Sequence, residues 1–172
     1  MRPTVRAALP LAAAGAALIT LSAPALALPM PDELKVEGPT NVYDQTYKDV
    51  KTQITVVRTG DTTSVILDAT GFPAESAGKT YGVHVHVNPC GEKGEDAGPH
   101  YQDPNAAPDA PMHDKEIWLD IMVGKDGHAR SGTAVPWKVA AKAAGSVMIH
   151  ALPTNHDDGS AGARNVCTTV PF

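Results

Sequence analysis

The sequence predicts an all-β domain, an antiparallel sandwich or barrel that carries long functional loops. Three observations predict it. Branched and aromatic residues gather in short runs, and glycine and proline signals divide those runs. The one long interruption, residues 88–116, is rich in Gly, Pro and Asp and has almost no apolar run. A loop of that length inside a compact domain is a functional or a disordered one.

In chain order, residues 1–27 read as a secretory signal. Arg2 and Arg6 give a positive start, Ala7 to Leu21 is apolar and uncharged, and Ala25-Leu26-Ala27 offers small residues where a signal peptidase cuts. The apolar run is too short for a spanning helix, so no membrane span is expected once the signal is removed. The expected destination is secreted or extracytoplasmic, at the cell envelope. Residues 28–52 read as a polar lead-in with room for a first strand, and 53–172 as the functional domain. The chain has 14 basic and 19 acidic residues, a formal charge of −5. Without residues 1–27 it would lose two arginines and no acid, leaving 12 against 19 and a charge of −7. That balance argues against nucleic acid or an anionic membrane as a partner, and an anionic substrate would need a local positive group.

Within the domain, Gln53–Val57 is rich in branched residues, Gly60-Asp61 is a turn, and Ser64–Leu67 is the next strand. Gly71 and Pro73 break the following stretch, and Tyr81–Val87 alternates cleanly. Ile117–Val123 precedes Lys125-Asp126-Gly127, which predicts a hairpin with Ala129–Val135 as the return strand. Ser146–His150 and Asn165–Val170 are the last two strands, and the Ala-rich stretch 138–144 has room for one helical turn. Cys90 and Cys167 are the only cysteines. An even number in an exported chain favours a disulfide over two free buried thiols.

All seven histidines lie beyond residue 83. His84 and His86 are two apart on an alternating strand, so both imidazoles leave the same face, with Val83, Val85 and Val87 on the other. Two imidazoles on one face suit a metal. His150 ends a strand, where a lone histidine is more often structural than ligating, and His100 follows Gly98-Pro99 in the long loop. His113, His128 and His156 read as surface residues. Imidazole ligands without thiolate suit Cu(II), Zn(II) or Ni(II), and a near-planar nitrogen set favours Cu(II).

Four ordered motifs resemble the Cu/Zn superoxide dismutase family. Gly82-Val83-His84-Val85-His86 with Cys90 is similar to its copper-ligand strand and first disulfide cysteine. Ala97-Gly98-Pro99-His100-Tyr101 is similar to its bridging-histidine motif, and Val147-Met148-Ile149-His150 to its last copper-ligand strand. Gly162-Ala163-Arg164-Asn165-Val166-Cys167 is similar to the segment with its active-site arginine and second cysteine. The resemblance runs from about Gln53 to the C-terminus. It implies a Greek-key β-sandwich or barrel, and a copper enzyme that converts superoxide to dioxygen and hydrogen peroxide. His84, His86, His100 and His150 would hold copper, Arg164 would bind the anionic substrate, and a Cys90–Cys167 disulfide would tie the long loop to the last strand. A guanidinium is always charged and suits that role.

Two departures point to the family's copper-only, secreted bacterial members. Residues 101–115 hold only one histidine, His113, where zinc-containing members supply two more imidazoles and an aspartate. His113 with Glu116 would form at most a remnant zinc site, so zinc is expected to be weak or absent. Only 13 residues separate His150 from Arg164, too few for the long charged loop of zinc-containing members. Two other readings of the same fold are a zinc-containing dismutase with an unusual zinc shell and a non-enzymatic copper protein for sequestration or delivery. No oligomeric state follows from these residues.

Overall fold

The computed structural model describes residues 31–172, and the signal predicted at 1–27 lies outside them. Ten strands occur among the described residues: β1 (Asp32–Gly38), β2 (Asn41–Val42), β3 (Lys51–Thr59), β4 (Thr62–Thr70), β5 (Thr80–Tyr81), β6 (Val83–His86), β7 (Ile121–Met122), β8 (Ala129–Val135), β9 (Ser146–His150) and β10 (Arg164–Thr169). One antiparallel sheet has the order β1-β3-β4-β8, the other β2-β10-β9-β6, and β5 pairs with β7. The two large sheets form a sandwich and do not close into a barrel.

Alternation makes the first sheet. Thr52, Ile54 and Val56 of β3 and Thr63, Val65, Leu67 and Ala69 of β4 are buried, and the residues between them are only partly covered. The inward set meets Val83, Val85, Val147, Ile149 and Val166 of the second sheet in a single core. Fully burying a branched side chain of this kind contributes about 1.5–3 kcal/mol.

One local reading is filled in and three are corrected. The first strand allowed for in the polar stretch 28–52 forms: Asp32–Gly38 pairs residue by residue with β3, from Asp32↔Arg58 to Gly38↔Thr52, and Lys51 and Thr52 already belong to β3. Its polarity suits an edge strand, with Leu34 and Val36 packed on the core. The turn at Lys125-Asp126-Gly127 forms, with Gly127 at φ +72°, but its flanking strands part. β7 leaves for β5, and β8 pairs with β4, where Ala129 and Val135 at its two ends are buried. The strand expected at 117–123 is split. Ile117 and Leu119 bond to β6, and only Ile121–Met122 pairs with β5. Finally, 138–144 holds an isolated turn, Ala143 N–H to Ala140 O, which Lys142 ends in the left-handed region at φ 65°.

The long loop folds back along the free edge of β6. Val87 N–H donates to Pro99 O and Tyr101 N–H to Val85 O, so His100 faces His86 across a bridge. Gln102 and Glu116 then bridge each other. The Cys90–Cys167 disulfide is formed and pins the loop to β10, with Cα atoms 5.9 Å apart. Closing a loop of that length contributes at most about 4.5 kcal/mol in the chain-entropy model.

Candidate metal centre

The outer face of the second sheet carries the site. His84 and His86 leave β6 on the face opposite Val83 and Val85, and both are 0% exposed. His150 ends β9 opposite Arg164 of β10, where a bulge interrupts the ladder. His100 comes from the returning loop. One nitrogen from each of the four imidazoles lies within 4.8 Å of the others. His84 Nδ1 faces His100 Nε2 at 3.0 Å, and His86 Nε2 faces His150 Nε2 at 3.3 Å.

The outward nitrogens decide what the inward ones offer. His86 Nδ1 lies 3.0 Å from Gly98 O, His150 Nδ1 lies 3.3 Å from Gly162 O, and His100 Nδ1 lies 2.8 Å from Glu116 Oε2. Carbonyl and carboxylate oxygens only accept, so each of these nitrogens carries a proton, and each ring turns its Nε2 inward. His84 Nε2 lies 2.7 Å from the Thr154 hydroxyl. Ring nitrogens that face one another at 3.0–3.3 Å can share a cation when both present lone pairs. Burial, and then the neighbouring imidazoles, lower the His84 pKa to about 2. Burial dominates at the other two strand histidines as well, and lowers His86 to about 3 and His150 to about 4. All three rings are therefore held neutral, the form that ligates a metal. The donor set fits a metal ion bound through nitrogen.

Glu116 has a role that the sequence did not suggest. Its buried carboxylate accepts from His100 Nδ1, from Trp118 Nε1 at 2.8 Å and from Gln102 Nε2 at 2.9 Å. Burial would raise its pKa, but these hydrogen bonds outweigh that and hold it below the ordinary value. It is spent on orienting His100 and does not meet His113. The His113 side chain is 55% exposed and reaches Asp114 at 3.2 Å. No second group of three or more His, Cys, Asp or Glu converges among the described residues. His128 pairs with Asp68 on the first sheet, and His156 is exposed with its ring on Trp118.

Arg164 is held beside the cluster. Its Nη1 donates to Gly94 O at 2.7 Å and its Nη2 to Gly98 O at 2.8 Å. The Gly98 carbonyl also accepts from His86, so a single backbone oxygen sets both the ligand and the cation. Only glycine serves there: φ is +72°, and a Cβ would lie 2.7 Å from Val87 Cγ2. Met148, Ala97 and Cys167 fill the rest of the outer face as a small apolar cluster under the loop. Thr154, which reaches His84, and Asp120, which bonds Thr154, carried no sequence signal, since neither lies near His84 in the chain.

A scan against protein-family models finds no match, and neither does a sequence search of curated proteins. Among solved structures the chain is similar to the clock protein EA4, with a TM-score of 0.56 at 16% identity over 83% of this chain and 94% of that one. At that identity the likeness is one of fold. A disulfide is typical of extracytoplasmic proteins. No helix among the described residues is long and apolar enough to cross a membrane.

Proposed function

We propose that this chain is a secreted, copper-dependent superoxide dismutase with a single metal and no zinc. The observation that carries the reading is the junction at Gly98. Four imidazoles each turn one nitrogen to a common point, and the carbonyl that orients one of them also fixes a guanidinium beside it. A nitrogen-only set without thiolate suits copper. Bound copper would supply a one-electron couple, so that two superoxide anions and two protons become dioxygen and hydrogen peroxide.

The chain's own residues supply the rest. Arg164 spends two N–H groups on loop carbonyls, and the remaining donors are free to take an anion. That local charge matters because the protein as a whole is acidic, at −5. His100 is the most accessible ligand at 17% side-chain exposure, and its Nδ1–H is committed to Glu116. A nitrogen so committed has no lone pair for a second metal, which supports the zinc-free reading. The disulfide three residues beyond Arg164 holds β10 against the loop that presents Gly94 and Gly98.

Metal analysis of the purified protein combined with a superoxide assay tests this. One copper per chain, little zinc, and superoxide removal well above that of free copper are expected. Arg164→Ala should keep its copper and lose most of the activity. Loaded protein no faster than free copper would instead assign the site to copper sequestration or delivery, and zinc near one per chain would overturn the single-metal reading.

A further inference from the structure

His84 differs from the other three candidate ligands. It turns Nδ1 inward, while they turn Nε2 inward, so to offer that nitrogen to a metal it must carry its proton on the opposite one. Nothing in the imidazole itself enforces that choice. If the proton sat on Nδ1, it would donate to His100 Nε2 at 3.0 Å and close the site to metal.

We propose that Thr154 and Asp120 are positioning residues that lock His84 as its Nε2–H tautomer through a directed hydrogen-bond chain. Asp120 accepts three hydrogen bonds: from Thr154 N–H at 3.0 Å, from the Thr154 hydroxyl at 2.6 Å and from Val83 N–H at 3.3 Å. A carboxylate only accepts, so the single hydroxyl proton of Thr154 is committed to it. Towards His84 Nε2, 2.7 Å away, Thr154 Oγ1 can then only accept. The proton of the ring is drawn to Nε2, and Nδ1 is left bare toward the cluster.

The fold is shaped around this contact. Thr154 is 5% exposed, and Gly82, just before β6, gives it room: a Cβ there would lie 2.7 Å from Thr154 Oγ1. Asp120 sits at the point where the strand from Ile117 leaves β6, so its carboxylate takes the Val83 N–H at that break. The chain needs residues from three separated segments and forms only on folding. It rests on the metal-site reading but not on which metal binds.

Long-range ¹H–¹⁵N spectra of the full-length protein, freed of metal by a chelator, report the protonated nitrogen of each histidine directly. His84 should be Nε2–H in the wild type and in Thr154→Ser. In Thr154→Val, which keeps the shape and removes the acceptor, it should move to Nδ1–H. Copper(II) titration of the same proteins should show a 10–100-fold loss of affinity in Thr154→Val and recovery in Thr154→Ser, as is usual for residues that orient a ligand. An Nδ1–H His84 in the wild type, or an unchanged tautomer and affinity in Thr154→Val, would overturn the assignment. The wild-type spectrum decides the tautomer even if the valine variant fails to fold. A protein with the expected tautomers that takes no copper would sink the proposed function and leave this inference standing.

Discussion

In β3 and β4 each second side chain is only partly covered, whereas β6 and β9 are buried on both faces. The first sheet follows the usual rule for an antiparallel layer, with one face to the core and one to water. The second has an apolar inner face and an outer face that the long loop and the 151–163 connection roof over. Under that roof lie His84, His86 and His150, groups that are costly to bury unless each polar atom has a partner. Gly98 O, Gly162 O, Glu116 and Thr154 are those partners. The contrast teaches that the roof is not decoration: the second sheet cannot keep polar side chains on its covered face without loop atoms placed to satisfy them.

Acid should expose this difference most. His84, His86 and His150 have folded pKa values below 6.5, so the unfolded chain binds more protons as pH falls. Their contribution is fully present above about pH 6.5 and is lost below it. For three histidines the slope reaches about 4 kcal/mol per pH unit between pH 6.5 and about 4, enough to unfold a typical domain. Urea midpoints of the metal-free protein at pH 7.5 and pH 5 check this, and equal midpoints would show that the roofed face does not hold neutral imidazoles. Bound metal competes with protons and should move the loss to lower pH.

Between the sheets, Leu67→Ala should cost about 2–5 kcal/mol by leaving a cavity, with the metal content of the folded protein unchanged. A fall in bound metal in the surviving folded fraction would mean that the two faces of the second sheet are coupled. On the roofed face, Glu116→Gln should fold normally and weaken metal binding about 10–100-fold, because the amide orients His100 less firmly than the carboxylate does. Competition with a chelator measures it. On the open face, Arg130→Ala removes an exposed, 3.9 Å contact to Asp68 and should change stability by less than about 0.5 kcal/mol. A larger loss there would break the contrast between the sheets.

Much of this was legible in the sequence, and the reasons differ by region. The strands of the first sheet announce themselves by period-2 alternation, because one face meets water. His84 and His86 were legible for the same reason, since strand geometry alone places them together. The resemblance drew His100, His150 and Arg164 to them, and the structure brings these residues into one neighbourhood. The edge strand β1 was hard to read because an edge strand needs little apolar content. The split of 117–123 was unreadable because its partners, β6 and β5, are chosen by tertiary pairing. Glu116 was paired with His113 by nearness in sequence, but burial and three hydrogen bonds turn it to His100 instead.

Local chemistry therefore determined the strand pattern, the two cysteines available to pair, and a pair of imidazoles on one face. Those properties depend on side-chain type and backbone period, which a linear chain carries. The tertiary structure decided which nitrogen of each ring is free, which carboxylate serves which ligand, and where the guanidinium sits. Each depends on hydrogen bonds between groups 12 to 70 residues apart, such as His86 with Gly98 and His84 with Thr154, and those partners meet only when the loops close over the second sheet.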